Sequence, residues 1–261
     1  IPKAARRDAT WLTDVNQGRR KLSPEETDHL RRLYDGNLAY ADHQVGVIRG
    51  QLEAAGLWDR TVVIVAADHG EGLLEHGWIG HNVQLFEESI HIPLVIRFPA
   101  GKGPAGRRVA GLTDLLDVAP TIADLFGALG KGGSDREFQG RSLLGAMEGS
   151  AGGKAAVLSR TVWDRPVYAL RDEGHKFVYN TRSGEESLYD LGQDPGETRD
   201  AAAADPLRTA YYRQSLHHSI ARLGRSGAGG AAAEGPAYTC DQCQDLKALG
   251  YLGGGYKCPC P

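Results

Sequence analysis

The sequence has no cysteine before position 240, no uninterrupted apolar run approaching 20 residues, and no excess of positive charge. These absences exclude a disulfide-stapled body, a membrane-spanning helix, and a polycation held to nucleic acid by its overall field. Thirty Lys and Arg stand against 33 Asp and Glu, for a formal charge of -3. Any partner must therefore be recognised at a site. The opening Ile1-Pro2-Lys3 has neither an initiator Met nor the charged and then apolar pattern of a secretory leader, which leaves the compartment open. Glycine, by contrast, is abundant. With 35 glycines and 12 prolines, the two make up about 18% of the chain against an average of about 12%. That favours a loop-rich enzyme over a helical bundle, and 261 residues suffice for one sizeable core or two unequal ones.

Ser23-Pro24-Glu25-Glu26 is a helix start: Ser23 can cap, Pro24 takes a first-turn position, and Glu26 can reach back. Leu30, Leu33, Tyr34, Leu38, Ala41, Val45, Ile48 and Leu52 recur at steps of three and four, predicting one buried stripe that ends at Gly56. Thr61 to Ala66 is a β-branched run without polar alternation, as in a central parallel strand covered on both faces. Leu94-Val95-Ile96-Arg97 reads as a second strand, Phe86-Glu87-Glu88 as a short helix and Val109 to Leu112 as a third strand. Asp117 stands where it can cap a helix that ends at Gly127. From about residue 155, short apolar segments separated by turn residues predict an antiparallel meander. A helix from Pro206 to about Leu223 and a Gly/Ala-rich linker over 224–236 follow.

Asp68-His69-Gly70 follows directly on the first strand, at the carboxyl edge where open α/β sheets place their ligands. In the loop past a strand end a carboxylate and an imidazole can converge on one ion. Glu75-His76-Gly77, Gly80-His81-Asn82, Leu85-Phe86-Glu87-Glu88 and Ile92-Pro93-Leu94-Val95-Ile96 come next in order. This set, with Val62 to Glu71, resembles the C-terminal sulfatase signature of the alkaline phosphatase superfamily. Asp117 to Ile122, Gly140-Arg141-Ser142-Leu143-Leu144, Ser187 to Leu191, Asp194-Pro195-Gly196-Glu197 and Leu246 to Leu252 are similar to later elements of that family, so the resemblance spans residues 23 to 252.

The resemblance implies an α/β fold: part of an alkaline phosphatase-like, mostly parallel sheet flanked by helices, plus a small C-terminal antiparallel α+β subdomain. The expected divisions are 1–150, 151–223 and 224–261. It implies a metal-dependent hydrolase of small-molecule or carbohydrate sulfate esters, periplasmic or extracellular as in the family, without nucleic-acid or membrane partners. Asp68 and His69 match metal ligands. His81 matches a catalytic and substrate-binding group that touches the ester oxygens and can protonate the departing alcohol. His76 is a second substrate-binding candidate, or a loop-positioning residue. Glu71 and Glu75 are read as solvated or supporting, since carboxylates beside an anionic ester would repel it. Calcium is the family's usual ion, but an imidazole at 69, where many sulfatases carry an amide, suits Mn or Zn and resembles the phosphonate monoester hydrolase branch. Phosphonate or phosphate esters are thus an alternative substrate class, and a non-catalytic, degenerate half acting as a binding module is another.

The family's formylglycine arises from Cys or Ser two residues before Pro or Ala and four before Arg, and no cysteine here has that context. The early paired aspartates are missing too. The expectation is a C-terminal portion, inactive without a formylglycine-bearing N-terminal half. Cys240, Cys243, Cys258 and Cys260 offer four thiolates able to enclose zinc. Disulfides or a plain tail are the alternative, favoured by the tight second spacing and the surrounding glycines.

Overall fold

The computed structural model describes residues 10–81, 83–129, 138–150, 152–161, 166–226, 239–248 and 257–260. A short helix α1 (Thr10–Asn16) precedes the long α2 (Pro24–Ala54). Ser23 caps α2 as its sequence predicts. Its hydroxyl accepts from the Glu26 N–H at 3.2 Å, and the Glu26 carboxylate accepts from the Ser23 N–H at 2.9 Å. The far end closes at Gly56, φ 67°, where the Gly56 N–H reaches Glu53 O at 3.0 Å and the Leu57 N–H reaches Leu52 O at 2.8 Å.

The apolar stripe of α2 differs from expectation. Among its described residues none is buried, and Leu33, Leu38 and Ile48 are 54%, 59% and 57% exposed. Periodicity reports which side chains share a face and says nothing about what covers that face. Helix α2 touches the strand Gly72–Leu73, and at its C-terminal end it meets the segment around Trp58. There the Arg49 and Arg97 guanidinium groups lie 5.2 and 4.0 Å from the Trp58 ring centre, and Arg97 donates to the Trp58 and Thr61 carbonyls.

The chain continues through β1 (Val63–Ala66), β2 (Gly72–Leu73), β3 (Ile79–Gly80), α3 (Glu87–Ile90) and β4 (Leu94–Arg97). Strand β1 realises the β-branched run, yet among the described residues it pairs with β4 in antiparallel sense, Val63 opposite Arg97 and Ala66 opposite Leu94. Val65 and Val95 remain exposed, so the run's apolar character is visible in sequence but its neighbours are not. No strand forms over 109–112. Gly111 sits at φ 103° with its Cβ position 2.7 Å from Gly153, and only a single bridge, Leu112 to Lys154, is made.

In α4 (Val118–Leu125), Asp117 makes no side-chain cap. Its fully buried carboxylate accepts from the Asp114 and Arg141 N–H groups, at 3.1 and 2.8 Å, and pairs with Lys154. After α5 (Leu144–Glu148), the strands β5 (Val157–Arg160), β6 (Val167–Arg171), β7 (His175–Asn180) and β8 (Glu186–Asp190) form the expected antiparallel meander in chain order. Register aligns Leu170, Phe177 and Leu188 in one cross-strand row and Arg171, Lys176 and Tyr189 in the adjacent one. Side chains alternate across a strand, so these rows face opposite ways. The first row packs with Tyr212 and Leu216 of α6 (Pro206–Ser226) into the main apolar cluster. The second faces α3.

Helix α7 (Cys240–Ala248) corrects the zinc expectation. Cys240 bonds to Cys260 and Cys243 to Cys258. The i, i+3 spacing puts both helix sulfurs on one face, and the Cα pairs lie 4.8 and 5.6 Å apart, within disulfide reach. No free thiolate remains for a metal. The proposed linker over 224–236 lies largely outside the described residues; its first three positions are the end of α6.

Two predictions follow the meander. Leu216→Ala, which empties a fully buried site, lowers unfolding free energy by about 2–5 kcal/mol in urea denaturation. The second concerns Asp172. Burial alone would raise its carboxyl, but hydrogen bonds from the Tyr212 hydroxyl and the His175 and Gly174 N–H groups hold it below the usual range. Such a group stabilises above the ordinary aspartate pKa, and its contribution fades as pH falls through the lowered folded value. Tyr212→Phe is therefore expected to cost roughly 1 kcal/mol near neutrality, the low end for a partly exposed carboxylate. The gap from wild type closes on acidification, as urea curves across a pH series would show.

Candidate active site

The loop leaving β1 is held against α3 by a contact only glycine permits. A Cβ on Gly70 would stand 2.0 Å from Glu88 O, and the Gly70 N–H donates to Ser89 O at 2.8 Å. This close approach aims His69 into a cavity of about 830 Å³ that is also lined by Asp68, His81, Glu87, Arg160 and Arg171. The His69 and His81 rings stack with centroids 3.9 Å apart and planes at 28°. His69 Nδ1 faces its neighbouring carbonyl, Gly70 O, at 2.8 Å. A carbonyl only accepts, so Nδ1 carries a proton. The Nε2 of the same ring is buried, makes no hydrogen bond among the described residues, and lies 3.8 Å from Asp68 Oδ2.

Of the two carboxylates expected to be solvated or supporting, Glu71 supports His81. Its Oε2 lies 2.8 Å from His81 Nδ1, and His69, Glu71 and His81 each present a ligand atom within 4.8 Å of the others. The signal is a short hairpin: β2 and β3 pair Gly72 with Gly80, so positions 71 and 81 fall opposite each other just beyond it. Asp68 lines the cavity, but its side chain is 75% exposed, with Oδ1 accepting the His69 N–H at 3.0 Å.

The structure thus brings Asp68, His69 and His81 to one cavity and places His76 elsewhere. His76 is absent from the cavity lining. Its ring stacks on Phe86 at 3.5 Å, with Nδ1 2.7 Å from Glu88 Oε1 and Nε2 3.3 Å from Glu197 O. That geometry fixes the loop between β2 and β3. Glu197, at φ 52°, is itself buried, and its carboxylate accepts the Glu87 N–H at 2.7 Å. Burial pushes the Glu197 carboxyl up against the opposing pull of Lys176. On its own, then, this group favours the fold at low pH and loses that contribution as pH rises through its folded value.

An α/β layout thus carries a histidine–carboxylate cluster at the carboxyl edge of a strand. A family model for sulfatases matches residues 4–128, and one for the C-terminal region of N-sulphoglucosamine sulphohydrolase matches residues 74–225. The chain belongs to the sulfatase family of the alkaline phosphatase superfamily, and its fold is the α/β fold of that group. It is 31% identical to the multifunctional alkaline phosphatase superfamily protein PehA of Trinickia caryophylli, over 76% of this chain and 41% of the relative. It is 28% identical to arylsulfatase K of Mus musculus, over 77% and 37%. The phosphonate monoester hydrolase of Silicibacter pomeroyi superposes with a TM-score of 0.65 at 28% identity, covering 77% of this chain and 43% of that one. The chain thus spans about two-fifths of the length of the curated relatives it matches.

The His69 geometry predicts one protonation pattern. In long-range proton–nitrogen NMR, Nδ1 of His69 should carry a proton, and a bare Nδ1 would contradict the contact with Gly70 O.

Proposed function

We propose that this chain supplies the late metal ligands and the leaving-group acid of a metal-dependent sulfate-ester hydrolase whose nucleophile comes from a separate N-terminal portion. The observation that carries this reading is the His69, Glu71 and His81 cluster, of which His69 and His81 line one cavity together with Asp68. The buried His69 Nε2, which makes no hydrogen bond among the described residues and lies 3.8 Å from Asp68 Oδ2, fits a cation, and the Asp68 and Glu71 carboxylates are the adjacent donors. One nitrogen with carboxylates suits Mn or Zn at least as well as Ca. Such an ion would supply Lewis-acid neutralisation of the ester oxygens.

His81 then acts through its two nitrogens. The Glu71 carboxylate accepts from Nδ1–H, orienting the ring and stabilising its doubly protonated form, and that form can hand a proton to the departing alkoxide. Glu71 is thereby a positioning carboxylate rather than a solvated one. The exposed stripe of α2 and the exposed Val65 and Val95 support an N-terminal portion as their cover, with divisions at 1–150, 151–223 and 224–261. The two disulfides support an oxidising compartment, periplasmic or extracellular. Among the described residues no helix is long and apolar enough to cross a membrane. The imidazole at position 69 and the similarity to a phosphonate monoester hydrolase favour phosphonate or phosphate monoesters as the second substrate class.

The test uses 4-nitrophenyl sulfate and 4-nitrophenyl phenylphosphonate. This chain alone should release no product from either. In the full-length protein, Asp68→Ala abolishes metal-dependent turnover, and His81→Ala lowers kcat most for poorly leaving alcohols. Product release by the isolated chain, or turnover indifferent to chelators, would refute the proposal.

A further inference from the structure

Lysine 176 is fully buried, although a lysine is costly to desolvate and an apolar residue could fill the space. Its Nζ lies 3.2 Å from Glu87 Oε1 and 2.5 Å from Glu197 Oε1, and Arg171 Nε reaches the same Glu87 oxygen at 3.2 Å. Glu87 lines the cavity, whereas Glu197 is buried behind it. The same arrangement recurs on another part of the cavity wall. Lys154 Nζ lies 2.6 Å from Asp114, which lines the cavity, and 2.8 Å from the fully buried Asp117. In each case one lysine is shared between a carboxylate of the wall and a carboxylate behind the wall.

A cavity meant for an anionic ester would be spoiled by bare carboxylates, because repulsion between charges several ångströms apart is weakly screened in a partly buried site. We propose that Lys176 is a positioning residue that, together with Arg171, neutralises the Glu87–Glu197 pair. It holds α3 at the cavity edge while keeping that edge open to an oxyanion. The proposal rests on the reading of the cavity as an anionic-ester site. Its balance is legible in the groups around Glu87. Arg171 and Lys176 are the cations on it, with His91 Nδ1 3.5 Å from its other oxygen. Glu197 and its neighbour His76, itself paired with Glu88, lie behind.

Inorganic sulfate and Mn²⁺ serve as probes, titrated calorimetrically at low salt into the full-length protein and its variants. Lys176→Met leaves the wall anionic and should weaken sulfate about tenfold while tightening Mn²⁺ severalfold. Glu87→Gln shifts the balance the other way, tightening sulfate and weakening Mn²⁺. The double variant Lys176→Met/Glu87→Gln should return sulfate to within about twofold of wild type, even though its melting temperature stays lowered. A purely structural role would weaken both probes together, without rescue by the double variant, and would overturn the proposal. So would unchanged affinities in Lys176→Met. A wild-type protein that binds neither probe would instead sink the anionic-ester reading, and this proposal with it.

Discussion

Two adjacent residues of β7 tie the described parts of the molecule together. Phe177 and Lys176 are both fully excluded from solvent, on opposite faces of the same strand. Phe177 enters the apolar cluster beneath α6, and Lys176 reaches the carboxylates around α3. A slip of one residue in register would put the ammonium group into the apolar cluster and the phenyl ring against Glu87 and Glu197. The strand pairing is therefore specified from both sides at once. Tyr189, in the same row as Lys176, adds an edge-on contact to Phe86 at 5.9 Å. The meander is thus fixed to the segment that lines the cavity, 80 to 110 residues away in sequence.

From that fixed wall the site is assembled by short-range constraints. Gly70 lets the loop after β1 touch the backbone of α3, and the Gly72–Gly80 pair brings Glu71 beside His81. His76, stacked on Phe86 and bonded to Glu88, pins the turn of the same hairpin. The histidines near the strand edge thus divide between two tasks. His69 and His81 face the cavity, while His76 is spent on holding it in shape.

Much of this was legible in the residues alone. The Ser23 cap, the closure at Gly56, the β-branched β1, the meander and α6 all follow from patterns a few residues long, in which local backbone geometry and side-chain period agree. Asp68, His69 and His81 could be named because they stand in an ordered set after a buried strand. Other features were not legible, for a consistent reason. The stripe on α2 is amphipathic yet exposed; β1 is apolar yet antiparallel to β4. Asp117 has the composition of a cap and serves instead as the buried partner of Lys154. In each case the residue type was informative and the partner was not.

The sequence by itself determined the family, the helices and strands whose signals are local, and the residue types able to do ester chemistry. Tertiary structure decided which carboxylate meets His81, that His76 turns away from the cavity, and how four cysteines divide into two bonds. It also decided that a buried lysine is shared between two acids contributed from positions 87 and 197. A periodicity of 2 or 3.6 residues is written into neighbouring side chains. Contacts between distant residues depend on how whole elements pack, and only the assembled chain expresses that.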